Sequence, residues 1–393
     1  MRSIVIKNVR AVLPDRVTEP CDILTTNGKI AEIGCKNAPD GATVLEGNGG
    51  LLTPGFVDVH VHGGGGADFM DATREDFETA LKAHLKHGTT TLLPTAMTAS
   101  EEDLIAFVRT YCEYRKNPDE KAAKAPGVHL EGPYFSGATG KSKGAQPGDL
   151  LRLPDEAEMK RIISAAEGNI LRWDAAPELE GSDMFARVCR DNGIMPAIAH
   201  TASTSEQALE GIANGFAHVT HFYNACTTYR KEGQKVLAGA VEAAYLSDNV
   251  SVELIGDGCH IPRDILRVAL KFKGADKVCI ITDATRISCT DLKKGMLGSL
   301  KNGTEVIVDD GVAKLPDMSC FAGSIATSDR CFRVLVKDYG IDVVTACKIL
   351  SETPAKIMGW DGVGSIEKGK AADFVLFDEE LNIKNVVLDG NIL

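Results

Sequence analysis

The chain has 393 residues, 44% of them hydrophobic and 25% charged, with 39 glycines and a formal charge of -12. That length allows one to three domains, and so ordinary a composition excludes a disordered chain, a collagen-like repeat and a coiled-coil rod. The negative balance argues against a general affinity for nucleic acid or an anionic membrane surface, so an anionic substrate needs locally placed cations.

The first 50 residues read as short β segments: SIVIKNVRAVL (3–13), CDILTTNGKIAEIG (21–34) with an Asn27-Gly28 pair suited to a type I′ hairpin, and ATVLEGNGG. No apolar run reaches membrane-spanning length, and the start MRSIVIKNVRAVLPD interrupts its apolar stretch with charge instead of building a signal-peptide core. A cytoplasmic location is expected. The eleven cysteines contain no C-x-x-C pair, which fits buried reduced thiols.

From residue 54 the pattern changes to strands alternating with helices: FVDVHVH (56–62), a helical EDFETALKAHLKHG (75–88), then TTTLLPT (89–95). The alternation continues through GVHLEG (127–132), ILRWDAAPE (170–178), MPAIAHT (195–201), HVTHFYN (218–224), SVELIGDG (251–258) and KVCIITDAT (277–285). Eight strands with helices between them predict an α/β fold, a closed (β/α)8 TIM-type barrel. Residues 286–327 break the rhythm with a hairpin, TEVIVDDGVAKL, and read as an insertion near the barrel mouth. The Gly-rich loop FSGATGKSKGAQPGD (135–149) is a lid candidate because it is too long for a mere connection. GSIEKGKAADFVLFD (364–378) and NIKNVVLDGNIL (382–393) return to short strands, so residues 1–53 and 356–393 are expected to form one small β-sandwich domain beside a barrel of 54–355.

The barrel places all strand C-termini on one face, where His60, His62, Glu131, His200, His221 and Asp283 would converge. Residues i and i+2 of a strand share a face, so His60 and His62 can address one ion while Val61 packs outward. Imidazole and carboxylate form the ligand set of zinc or iron(II). His84 and His87, three apart on a helix, read instead as packing and helix-terminus residues. His129 reads as core, with a supporting role to Glu131 as the alternative, and His218 is expected to face away from His221.

The segments TPGFVDVHVHGGGGADFMD, HLEGPYFS, KGAQP, AHTAST, VTHFYNA, DGCHI, ITDAT and GSIEKGKAADFVLFD resemble the N-acetylglucosamine-6-phosphate deacetylases of the amidohydrolase superfamily, almost end to end. PGFVDVHVHG and KGKAADFV mark only the superfamily; HLEGPYF, THFYNA and D-G-x-H specify the branch. The resemblance implies metal-dependent hydrolysis of the N-acetyl group of N-acetylglucosamine-6-phosphate to glucosamine-6-phosphate and acetate, with a related acetylated amino sugar as the alternative substrate. It makes Glu131, His200 and His221 ligands of the main metal and Asp283 the general base and acid. The metal would be zinc, with iron(II) as the alternative. His60 and His62, replaced in some family members, are both present and imply a second ion, hence one or two per chain.

The resemblance further implies that His260 and the backbone at Asn224 and Ala225 hold the phosphate, with an Arg arriving from the neighbouring subunit of a homodimer. Ala145, Gln146, Phe321, Ala322 and Gly323 match sugar-contacting positions. After Ala225 the chain departs from the family, reading CTTYRKEGQKVLAG; Arg230 is the nearest counterpart of the phosphate-binding Arg, with Lys231 and Lys235 as alternatives.

Three rival readings are weighed against this one. Cyclic-amide hydrolases of the superfamily use a modified Lys on strand 4, and ILRWDAAPE offers none; deaminases lack a Glu like Glu131. A catalytically dead scaffold would have lost metal ligands, whereas all six are kept.

Overall fold

The computed structural model describes residues 3–137 and 140–393. Its barrel strands are β1 (Phe56–Val61), β2 (Thr89–Ala96), β3 (Val128–Glu131), β4 (Ile170–Ala175), β5 (Met195–Ile198), β6 (His218–Val219), β7 (Ser251–Ile255) and β8 (Val278–Ile281). All pair in parallel in sequence order, and a Val61–Ala284 bridge closes β8 onto β1. The eight expected strands are therefore the eight observed.

Helices join them: α1 (Arg74–Lys86), α2 (Glu101–Lys116), α3 (Glu156–Ala165), α4 (Ser182–Asp191), α5 (Ser205–Asn214), α6 (Ala240–Tyr245), α7 (Arg263–Lys273) and, after β8, α8 (Ser328–Arg333). Their starts follow from local chemistry. Thr73, Ser100, Asp155 and Thr204 each accept a hydrogen bond from a first-turn amide, which satisfies a donor that the helix itself cannot.

Both chain ends build a second, eight-stranded sheet in which Ser3–Ala11 is central, flanked by Cys21–Thr26 and Lys29–Ile33 on one side and by Leu51–Pro54, Phe374–Phe377 and Ile383–Leu388 on the other. Most pairs are antiparallel; Ser3–Ala11 pairs in parallel with Thr43–Glu46 and Leu51–Pro54. A register shift between Ile6 and Val9 lets the central strand serve both halves, which enclose a separate core of residues such as Ile4, Ile6, Leu52, Phe374 and Val387. Asn27 and Gly28 both have positive φ, 50° and 76°, as the expected type I′ turn requires.

The 286–327 insertion forms a three-stranded antiparallel sheet, Lys294–Leu297, Thr304–Asp309 and Val312–Lys314. It contains the expected hairpin. Of the lid candidate 135–149, residues 138 and 139 lie outside the described residues, as do residues 1 and 2 of the expected end domain. All eleven cysteines are free thiols.

The barrel floor meets the terminal sheet through an aromatic cluster. Phe56 of β1 lies 5.6 Å from Phe332 of α8 and 6.2 Å from Phe377 of the strand Phe374–Phe377, ring centre to ring centre. Phe56→Ala empties the middle of that cluster and is expected to destabilise the protein by about 3–5 kcal/mol, read as a lower denaturant midpoint; an unchanged midpoint would show that the cluster carries little of the stability.

Candidate metal centre and substrate cavity

Six side chains meet at the C-terminal end of the barrel strands. His60 and His62 end β1, Glu131 ends β3, His200 and His221 follow β5 and β6, and Asp283 follows β8; all six are buried. They form two triads. Glu131 Oε1 lies 3.1 Å from His200 Nε2 and 2.9 Å from His221 Nε2. Asp283 Oδ1 lies 3.2 Å from His62 Nε2 and 3.5 Å from His60 Nε2. Glu131 links them, because its other oxygen, Oε2, is 3.5 Å from His62 Nε2.

The second ring nitrogen decides what the first can do. His200 Nδ1 donates to the Ser142 carbonyl at 2.9 Å, His221 Nδ1 to the Asn224 carbonyl at 3.0 Å, and His60 Nδ1 to Glu253 at 2.8 Å. Each imidazole thereby keeps its Nε2 lone pair for the cluster. Yet the Nε2 atoms of His200 and His221 are 3.1 Å apart, and those of His60 and His62 are 3.2 Å apart. Lone pairs facing at that distance repel unless a proton or a cation lies between them. Imidazole with carboxylate is the ligand set a divalent ion resolves, so the residues present fit a metal.

Protons can serve in the same place. Burial opposes the charged form of His62 and of His221, but a hydrogen bond to Asp283 in one case and to Glu131 in the other, with the nearby carboxylate charges, outweighs it and raises both to a pKa of about 9. Burial likewise pushes Glu131 and Asp283 up, and the surrounding imidazoles more than reverse it, holding both carboxyls below their ordinary values.

The backbone is bent to make this possible. His200, His221, Tyr223, Ala225 and Asp283 all have positive φ, between 30° and 77°. L-residues avoid this region, and such conformations persist only where the surroundings hold them. At Asp283 the clamp is visible: its carbonyl accepts from the Ser324 amide at 2.7 Å, and its amide donates to the His60 carbonyl at 3.1 Å. Gly323, beside this clamp, itself has φ +61°, and a Cβ there would lie 3.0 Å from the Asp283 carbonyl oxygen. Only glycine fits without strain.

The cluster opens into a cavity of about 500 Å³ lined, among others, by Ala145, Gln146, Asn224, Ala225, His260, Phe321 and Gly323. Gln146 does more than line it, donating to Glu131 Oε2 at 2.8 Å while its own oxygen accepts from the Thr98 amide. His260 Nδ1 bonds Asp257 at 2.8 Å, leaving Nε2 for a ligand, and its ring centre lies 4.8 Å from that of Phe321. Asn224 Nδ2 is buried without a partner among the described residues.

Some expected residues lie elsewhere. Ala322 is fully buried in a small core with Leu297 and Val306, so its neighbours on either side make the wall. Arg230 starts an exposed hairpin, Arg230–Glu232 with Lys235–Leu237, bonds Glu232, and does not line the cavity of its own chain. His218 does not face away from His221: its Nε2 lies 3.1 Å from Glu253, which also bonds His60, and the His60 ring centre is 5.7 Å from that of His221. Strand β6 is only two residues long, and the chain turns at His221, so strict alternation ends before it applies. His84 is buried on the Gly63 carbonyl, and His87 pairs with Asp329, a hydrogen bond that raises it to about 10. His129 is core, 2.9 Å from Asp174.

Sequence reasoning missed Asp257, Arg172 and Glu253. The signal for the last two was charge within a buried strand, Arg172 with Asp174 in ILRWDA and Glu253 in SVELI.

The chain matches the Amidohydrolase family over residues 51–393. It is 31% identical over 392 residues to an N-acetylglucosamine-6-phosphate deacetylase of Lysinibacillus sphaericus, covering 99% of this chain and 97% of that one. An N-acetylgalactosamine-6-phosphate deacetylase of Escherichia coli O157:H7 is 28% identical over 356 residues, covering 90% of each. The crystal structure of N-acetylglucosamine-6-phosphate deacetylase from Pasteurella multocida superposes with a TM-score of 0.90 at 27% identity, covering 100% of this chain and 99% of that one. The family match and the full-length relative agree with a barrel that gathers imidazoles and carboxylates at one mouth: this chain belongs to the amidohydrolase family.

Proposed function

We propose that the protein removes the acetyl group of N-acetylglucosamine-6-phosphate, giving glucosamine-6-phosphate and acetate in amino-sugar catabolism. The observation that carries this reading is the presence at one cavity of two linked triads, all but His60 lining it and Asp283 among them, and of a phosphate-suited His260 held by Asp257. The relatives at 31% and 28% identity carry deacetylase names, one for the gluco and one for the galacto sugar phosphate.

Glu131, His200 and His221 would hold one divalent ion, and His60, His62 and Asp283 a second, with Glu131 between them. Zinc suits this set best. Such an ion, when bound, makes water a competent nucleophile near neutral pH and polarises the acyl oxygen. Asp283, held ionised by its imidazole neighbours, takes the proton of the attacking water and returns it to the departing sugar nitrogen. One carboxylate serves both steps because protonation in the first turns base into acid. Asn224 and His260 offer donors to the sugar and its phosphate, which would satisfy the buried Asn224 amide. Arg230 completes the phosphate site from the neighbouring subunit of a homodimer, and the protein works in the cytoplasm; no helix among the described residues is long and apolar enough to cross a membrane.

Asp283→Asn is isosteric but cannot cycle a proton, so turnover with N-acetylglucosamine-6-phosphate should fall at least about 100-fold. A variant keeping more than a tenth of the activity in an acetate-release assay removes Asp283 from the chemistry.

Metal uptake should expel protons. His62 and His221 titrate near 9 in the free cluster, so at pH 7 both carry a proton that an incoming ion must displace. Affinity therefore rises with pH up to about 9 and levels off above, and calorimetry at pH 7 in buffers of different ionisation enthalpy should report the release. Elemental analysis of the loaded protein should find two ions per chain; proton-neutral uptake or a ceiling of one ion would contradict the assignment.

Arg230→Ala should raise KM for the phosphorylated sugar by about one to two orders of magnitude, the worth of a charged hydrogen bond, and leave the unphosphorylated sugar nearly unaffected. Equal losses on both would make Arg230 structural. A panel adding N-acetylgalactosamine-6-phosphate separates the two sugar classes.

A further inference from the structure

Beneath the metal-binding residues the barrel interior is charged, where the cores of such barrels are usually filled by Val, Ile and Leu. Arg172 and Asp174 of β4, Glu253 of β7, His218 of β6 and His129 of β3 are all fully buried. Arg172 donates to both oxygens of Glu253, at 2.5 and 2.8 Å, and also reaches Asp174 at 3.1 Å. His218 Nε2 lies 3.1 Å from Glu253, and His218 Nδ1 lies 2.7 Å from Ser251 Oγ.

Burying ions in this way is a poor means of gaining stability, since apolar side chains of the same volume often serve as well or better. The cluster has another effect, visible at its upper edge. Glu253 Oε1 accepts a hydrogen bond from His60 Nδ1 at 2.8 Å. The orienting bonds of His200 and His221 go to neutral backbone carbonyls, whereas that of His60 goes to a carboxylate, and His62 Nδ1 has no partner among the described residues. A carboxylate behind a ligating imidazole fixes its tautomer and ring angle and makes its free nitrogen a better donor. The His60, His62, Asp283 triad thus has one firmly oriented imidazole, and Glu253 supplies the orientation.

We propose that Glu253, itself locked by Arg172 and His218, is a positioning residue that aims His60 Nε2 at the second ion and so sets the occupancy of the His60, His62, Asp283 triad, while the Glu131, His200, His221 triad retains its ion without it. The inference rests on the two-ion reading above.

The test uses full-length protein loaded with Cd2+, from which a chelator withdraws the ions stepwise, followed by elemental analysis and by one 113Cd resonance per site. Glu253→Gln should weaken the second site about 10- to 100-fold, the usual effect of losing such a support, and shift the first site less than about threefold. Nitrogen-15 spectra should show the His60 tautomer fixed in the wild type and mixed in the variant. Glu253→Asp keeps the charge beside Arg172 but draws the carboxylate back from His60, so it should lose the second ion in the same way and decides the matter if the Gln variant does not fold. Two ions held as tightly as in the wild type, or equal weakening of both sites, overturns the positioning role while leaving the two-ion reading in place. A wild type that shows a single 113Cd resonance overturns both.

Discussion

Glu131 and the four imidazole nitrogens around it set the problem that the rest of the molecule answers. Electron pairs that repel one another are gathered within a few ångströms in a dry space, with Glu131 reaching His200 and His221 through one oxygen and His62 through the other. Such an arrangement is costly unless something positive completes it. Every imidazole but His62 is therefore pinned from behind, and five residues near the cluster adopt backbone conformations that L-amino acids avoid.

The barrel makes this affordable because its strands are rigid and parallel, so residues far apart in the chain present their ends on one rim. Two features lie outside that generic frame. The segment returning from the three-stranded insertion presses Ser324 against the backbone of Asp283 and brings Phe321 over His260, so the Asp283 carboxylate and the cavity wall are positioned by one stretch of chain. Below the rim, Arg172, Asp174 and Glu253 replace the expected aliphatic filling. The same interior that supports the fold thereby holds the His60 imidazole at the rim.

His218 and Arg230 show where reading by pattern stops. Alternation assigns sides only within a regular strand, and β6 ends after two residues, so His218 bonds Glu253, the partner of His60, on the side where His221 lies. Arg230 sits on a hairpin that projects from its own chain, bonded to Glu232, and no local signal says which surface such a hairpin meets. Gln146 shows the reverse case: a residue expected at the sugar is the one that orients the central carboxylate.

Eight strands, their intervening helices and the convergence of His60, His62, Glu131, His200, His221 and Asp283 were all legible in the amino-acid order, because hydrophobic period and strand direction are local properties that a closed barrel converts into position. The placing of Asp283 with His60 and His62, the carboxylate behind His60, the clamp on Asp283 and the burial of Ala322 between two cavity residues were decided only in three dimensions. Each depends on distances between residues tens to hundreds of positions apart, as between His60 and Glu253. A buried charge in the sequence announces that it must have a partner, but only the folded chain determines which one.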